Sequence, residues 1–128
     1  MMNELISRID SQAPSFVGVS QAWTMAPVDD LTTETPLALV YPASDSAGTN
    51  TMDIGVVQRI TTDWAIFIIC PLASLDSLRG ELRTALLGWQ KDANYDPMTY
   101  VGGQAEDIKG DYLWWREVFR SSVHVRST

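Results

Sequence analysis

A chain of 128 residues, 45% hydrophobic and 20% charged, is long enough for one domain with a real core and too evenly composed for a disordered or fibrous protein. Its net charge of −7, sixteen acidic residues against nine basic, argues against a nucleic-acid binder, which needs a basic stripe to displace counterions. The single cysteine excludes an internal disulfide and a cysteine-based metal cluster, and no apolar run approaches the ~18 to 20 residues that span a bilayer.

The opening MMNELISRID lacks the cationic start and apolar centre of a signal peptide, so a soluble protein made in a cytoplasm is expected. Met2, Leu5, Ile6 and Ile9 fall at helical spacing and predict an amphipathic helix over residues 2–12, with Glu4 in its first turn and Pro14 as its stop. Residues 16–19 read as a short strand. Residues 27–35 are turn-rich and acidic, with Asp29, Asp30 and Glu34. The run PLALVYP, residues 36–42, reads as a short buried strand bracketed by prolines. Residues 44–53, rich in Ser, Thr, Asn, Asp and Gly, read as an exposed loop.

Residues 54–70 carry no turn signal and many β-branched side chains, which predicts one long strand, or two separated by a bulge near Thr62 and Asp63. Ile60, Thr62, Trp64, Ile66 and Ile68 share one face. The other face begins polar with Arg59, Thr61 and Asp63, then continues apolar with Ala65, Phe67 and Ile69. Cys70 closes this run and reads as a buried structural thiol.

A second helix is predicted over residues 74–87. Ser74 can cap it, Leu75, Leu78, Leu82, Ala85 and Leu86 form its buried stripe, and Gly88 stops it. Gly80 inside it costs about 1 kcal/mol relative to alanine, which suggests close packing there. After a polar loop over residues 90–97, strands at 98–108 and 112–125 are joined by a turn at Lys109, Gly110 and Asp111. The order predicts an α+β domain spanning residues 1–128, with two helices on one face of a largely antiparallel sheet of four to five strands.

The inventory for catalysis is thin. His124 is the only histidine, with Ser122 on the same strand face, and no third group or oxyanion site is suggested beside them. The segment DSAGTNTMD, Asp45 to Asp53, lacks the spacing of a calcium loop. Gly102 and Gly103 lack the helix start and lysine of a phosphate loop; paired glycines in a strand mark a bulge, a bend or a close backbone approach. Asp29 with Asp30, and Glu106 with Asp107, read as solvated surface. No cofactor or metal is expected.

What stands out is surface. Alternation along GDYLWWREVF and its continuation gives one more apolar face, Leu113, Trp115, Phe119, Val123 and Val125, despite Glu117 and Ser121. With that set in the core, Tyr112, Trp114, Arg116, Val118, Arg120 and His124 face outward. Two helices cover one sheet face only, so Phe67, Ile69, Tyr112, Trp114, Arg116 and Val118 become candidates for a subunit or partner interface. The alternative is that a loop such as residues 27–35 folds over this face.

Several of these segments, in this order, carry a family likeness. PLALVYP precedes a small-residue loop and a long strand opening with Gln58 and Arg59; ALLGWQ, residues 85–90, closes the second helix; YVGGQ, residues 100–104, precedes a turn and LWWREVF, residues 113–119. This pattern resembles the tail terminator proteins of long-tailed bacteriophages, over roughly residues 36–119. The segment KDANYD departs from it, standing where the family has a shorter proline-rich connection. The resemblance implies a homo-oligomeric ring, usually of six, at the head-proximal end of the virion tail and assembled in the host cytoplasm. Such a ring caps the tail tube protein, stops its polymerisation and meets the head-completion proteins. It implies no catalytic residues, and a bore through which DNA passes without specific binding. Asp29, Asp30 and Glu34 are candidates for an acidic lining of that bore. Two rival readings remain: another head-to-tail connector or stopper, and a small monomeric ligand-binding module or hydrolase.

Overall fold

The computed structural model describes residues 1–22, 35–50 and 55–127. Helix α1 (Met2–Gln12) buries Leu5 and Ile9 fully, with Met2 and Ile6 packed at the core margin, as the helical spacing predicts. The chain then turns through Pro14, and Phe16 drops into the core before strand β1 (Gly18–Gln21), two residues later than expected.

Strand β2 (Leu37–Ala47) is longer than its bracketing prolines suggest. Its register against β3 shifts between Pro42 and Ser44, so Ala43 is the extra residue of a bulge. A proline that cannot donate to the ladder is tolerated where the ladder is already interrupted, and pairing resumes from Ser44 to Ala47. The first part of the expected 44–53 loop is therefore strand. Strand β3 (Val56–Pro71) runs 16 residues without a break. The irregularity expected near Thr62 and Asp63 lies on the partner strand, opposite Asp63 and Trp64.

A 3-10 turn (Leu72–Ser74) leads into helix α2 (Leu75–Leu86). Because the turn gives Ser74 helical dihedrals, its side chain makes no capping bond. Leu78, Leu82, Ala85 and Leu86 are buried, and Gly88 ends the segment at φ 77°. Arg8 Nε donates to the Ala85 carbonyl at 2.9 Å, tying α1 to the last turn of α2. Close packing at Gly80 is not found: a Cβ built there meets nothing within 4 Å. The glycine is then a pure entropic cost, so Gly80→Ala is expected to stabilise the fold by about 1 kcal/mol, read as a higher urea midpoint at unchanged slope.

Strands β4 (Thr99–Lys109) and β5 (Tyr112–Ser127) form a hairpin whose two-residue loop begins at Gly110, φ +60°. Positive φ at the first loop residue is what a tight hairpin of this hand requires. The five strands lie in the order β1-β2-β3-β5-β4, with β1 and β2 parallel and the other pairs antiparallel. Both helices pack on one face, against Ala38, Val40, Trp64, Ile66, Ile68, Cys70 and Phe119. The fold is α+β, as the element order predicts. Burial pushes the Cys70 thiol up to about 11, as expected for a structural cysteine.

The core side of β5 differs from the sequence expectation. Val123 is half-buried and Val125 exposed, while Glu117 and Ser121 are buried. A strand of 16 residues spans about 50 Å and a helix of 12 about 18 Å, so the helical layer cannot cover the strand's full length. Ser121 is buried as the acceptor for the Trp64 indole N–H, at 3.0 Å.

Candidate interaction face

The strand register assembles the face of the sheet away from the helices. Three rows run across it: Leu37, Ile69 and Trp114; Leu39, Phe67 and Arg116; Tyr41, Ala65 and Val118. On β4 they end at Asp107, Gln104 and Gly102. Tyr112 lies one row further, opposite Pro71 and Lys109. With strands ~4.8 Å apart and same-face residues ~6.8 Å apart, the three rows over three strands cover roughly 300 Å² of sheet plane. Leu37, Ala65 and Ile69 are buried within it and Arg116 is charged, so the exposed apolar part is smaller, and the face is a candidate interaction site.

The six residues singled out in the sequence all fall on this face, but not equally. Phe67, Tyr112, Trp114, Arg116 and Val118 are half-buried; Ile69, at 4% exposure, is floor rather than contact surface. Ala65 and Leu37 are buried beside it. Leu39 and Tyr41 belong to the face and were missed, although the alternation of Leu37, Leu39 and Tyr41 within PLALVYP was there to be read. Lys109 Nζ sits 5.3 Å from the Trp114 ring centroid, close enough for a cation–π contact. The acidic candidates Asp29, Asp30 and Glu34, and most of the loop proposed as a cover, lie outside the described residues.

The band stops at a polar boundary. Arg120 holds Asp63 in a two-bond pair, at 2.8 and 3.1 Å, and this draws the Asp63 carboxyl below its ordinary value against a smaller opposing effect of burial. A depressed carboxyl pKa stabilises the fold above the unfolded value, near 3.9, and the contribution is lost as pH falls through the folded value. Arg120→Ala is expected to flatten the stability–pH curve below about pH 4, checked by urea unfolding across the acid range. Beyond the pair, Asp96 bridges Arg59 at 2.8 Å and His124 at 3.3 Å. The loop KDANYD is bound to β5 there: Asp96 N–H donates to Ser122 O, and His124 N–H to Asn94 O. Ser122 Oγ lies 3.0 Å from Thr61 Oγ1, so Ser122 and His124 have separate partners.

On the helix side, β5 carries a feature that sequence reasoning did not find. Glu117 is fully buried; its Oε1 accepts from Arg79 Nε at 2.9 Å, from the Tyr100 hydroxyl at 3.2 Å and from the Trp115 indole N–H. Arg79 also lies 4.6 Å over the Trp115 ring and donates to the Tyr100 hydroxyl; burial is the largest single influence on the guanidinium and lowers its pKa, but the Tyr100 bond and the Glu117 carboxylate together leave the Arg79 pKa raised. Trp115 is thereby half-buried against the core margin, not a fully buried anchor. The available signal was Arg79 flanking the buried stripe of α2, but nothing in sequence pairs positions 79 and 117. The cluster is an ionic support centred on Glu117 Oε1, with Gly103 pressed against it: a Cβ there would stand 2.2 Å from that oxygen.

Among the described residues no group of three or more His, Cys, Asp or Glu is placed to hold a metal ion, and no helix is long and apolar enough to cross a membrane. A family model described as "Phage tail terminator protein" matches residues 2–128. No curated protein matches the chain in sequence. Among solved structures, a chain of the "Virion of native gene transfer agent (GTA) particle" is similar, with a TM-score of 0.54 and 15% identity over 94% of this chain and 84% of that one. At that identity the likeness shows the fold alone.

Proposed function

The chain belongs to the phage tail terminator family, and from that premise we propose that it is a non-enzymatic ring-forming part of the tail, placed at its head-proximal end. Identical subunits, six in the usual ring of this family, cap the tube, stop further addition of tube protein and present a surface to the head-completion proteins. The observation that carries the reading is the apolar band of Phe67, Trp114 and Val118, with Leu39 and Tyr41, on the sheet face opposite the two described helices. A closed ring needs a heterologous contact between identical chains, and such a band supplies one side of it.

Charge supports the same reading. Six copies at −7 each carry about −42, which repels phosphates and suits a bore through which DNA slides without being gripped. Assembly would take place in the host cytoplasm, with the finished ring in the virion.

Light scattering after size exclusion, with electron microscopy of the purified protein, tests the proposal. Rings alone or on tail tubes are expected; a protein that stays monomeric in both settings overturns it. Deleting the gene from its phage separates a terminator from a connector or stopper. Overlong tails are expected, whereas normal tails lacking heads indicate a joining part.

A further inference from the structure

The segment KDANYD and the two irregularities of β4 lie along one edge of the sheet. β4 ends the strand order, and among the described residues no strand pairs with its outer side. An open edge presents unpaired N–H and C=O groups and invites a further strand. Along this edge those groups are taken up within the chain or thrown out of step.

Before β4 begins, residues 94–96 run beside β5. Asp96 N–H donates to Ser122 O and His124 N–H to Asn94 O, both at 2.9 Å, with Tyr95 bridged to Val123 between them. By alternation, Tyr95 directs its own backbone groups away from β5. Neither is open to a newcomer. Tyr95 N–H donates to Asp92 O at 3.2 Å, and Gln90 Nε2 donates to Tyr95 O at 2.6 Å. The loop ends the ladder by folding on itself.

Within β4, Val101 is an extra residue opposite the step from Phe119 to Val118, and Glu106 is one opposite the step from Trp115 to Trp114. Each bulge breaks the two-residue period of the edge and increases the local twist. The run in register between them, residues 102–105, is shorter than the ~5–6 residues of an ordinary strand. Near the hairpin loop, Lys109 pairs with Tyr112, so the neighbouring Ile108 directs its N–H outward. The Asp107 carboxylate accepts that N–H at 2.9 Å.

We propose that this edge is built to refuse a further strand: the loop of residues 90–96, the two bulges and the Asp107 cap keep a second copy of the chain from extending the sheet. The device acts on a monomer and on a ring alike, so it does not depend on the ring reading. It also gives KDANYD a role, because this loop closes the part of β5, residues 122–124, that lies beyond the start of β4.

Deleting Val101 and Glu106 leaves every other β4 residue opposite its present partner and on its present face, so a urea midpoint near wild type is expected. With Asp107→Thr added, assemblies larger than those of wild type are expected at a protein concentration at least ~10-fold lower, reversibly, by light scattering across a dilution series. Glu106→Ala loses the ion pair with Arg116 but keeps the bulge, and is expected to match wild type in size. A folded bulge-free chain with the size distribution of wild type overturns the proposal. Glu106→Ala that associates as strongly as the bulge-free chain also overturns it, since charge and not register would then hold copies apart. If the deletions abolish the cooperative urea transition, Asp107→Thr alone carries the test at its exposed position, with an onset ~3-fold lower expected and an unchanged onset overturning the cap. A wild-type ring in which a neighbour's strand pairs with β4, seen by electron microscopy, overturns the proposal and leaves the ring reading intact.

Discussion

Arg79→Ala is expected to destabilise the fold by about 3–5 kcal/mol, the range for breaking a buried ion pair from one side. Glu117 has no solvent exposure, and among the described residues Arg79 is its countercharge. Removing the guanidinium strands the carboxylate with two neutral donors, Tyr100 and Trp115, and its Oε2 already lacks a partner. The indole of Trp115 also loses the cation stacked on it. Replacing both charges, as in Arg79→Met with Glu117→Leu, is expected to recover most of that loss, because the costly state is the unpaired charge and not the missing pair. Urea unfolding of the two single variants and the double variant forms the cycle. A single Arg79→Ala variant within ~0.5 kcal/mol of wild type, the range of an ordinary surface substitution, would show that the pair contributes nothing.

The second large effect separates the two adjacent tryptophans. Trp115→Ala removes a ring packed at the core margin together with a donor to Glu117, so a loss of about 3 kcal/mol in monomer stability is expected. Trp114→Ala acts on the opposite face, where its ring lies beside Ile69 in the apolar band. Its monomer stability should fall less, by about 1 kcal/mol. Ring formation should weaken by about 2 kcal/mol or more, some thirtyfold, as for a central interface tryptophan. The same urea series gives the first quantity, and light scattering across dilution gives the second. If Trp114→Ala forms rings like wild type while Trp115→Ala abolishes them without loss of stability, the assembly face lies on the helix side.

These effects are large because β5 is covered on both faces in its first half, whereas in its second half only Ser121 and Ser122 are buried and the end is exposed on both faces. Leu113, Glu117 and Phe119 are buried toward the helices, while Trp114, Arg116 and Val118 are half-buried on the other side. From Arg120 onward the outer side is polar and exposed apart from Ser122, which bonds to Thr61. Under the ring proposal, stability and assembly are read by alternate residues of one short segment, and a one-residue shift of register would exchange them.

Local chemistry along the chain determined which elements form. The helical spacing of Leu5 with Ile9 and of Leu78 with Leu82 and Leu86 sets two helices, because a 3.6-residue period leaves only one face to bury. Alternation put Trp114 and Trp115 on opposite faces of β5, because the strand period of two admits no other answer without a bulge, while the tertiary structure decided that Trp115 shares the helix side. The paired glycines announced an irregular strand. Everything that depended on what lies opposite was decided only by tertiary structure. Glu117 read as an exception on an apolar face until α2 placed Arg79 over it. Val123 and Val125 read as core until the helical layer proved too short to reach them. Gly80 read as a packing site although nothing packs there, and Gly102 and Gly103 looked alike until the sheet gave one an open hollow and the other a carboxylate. The physical reason is the same in each case. Periodicity follows from the geometry of the chain's own backbone, whereas burial, pairing and free space depend on residues tens of positions away.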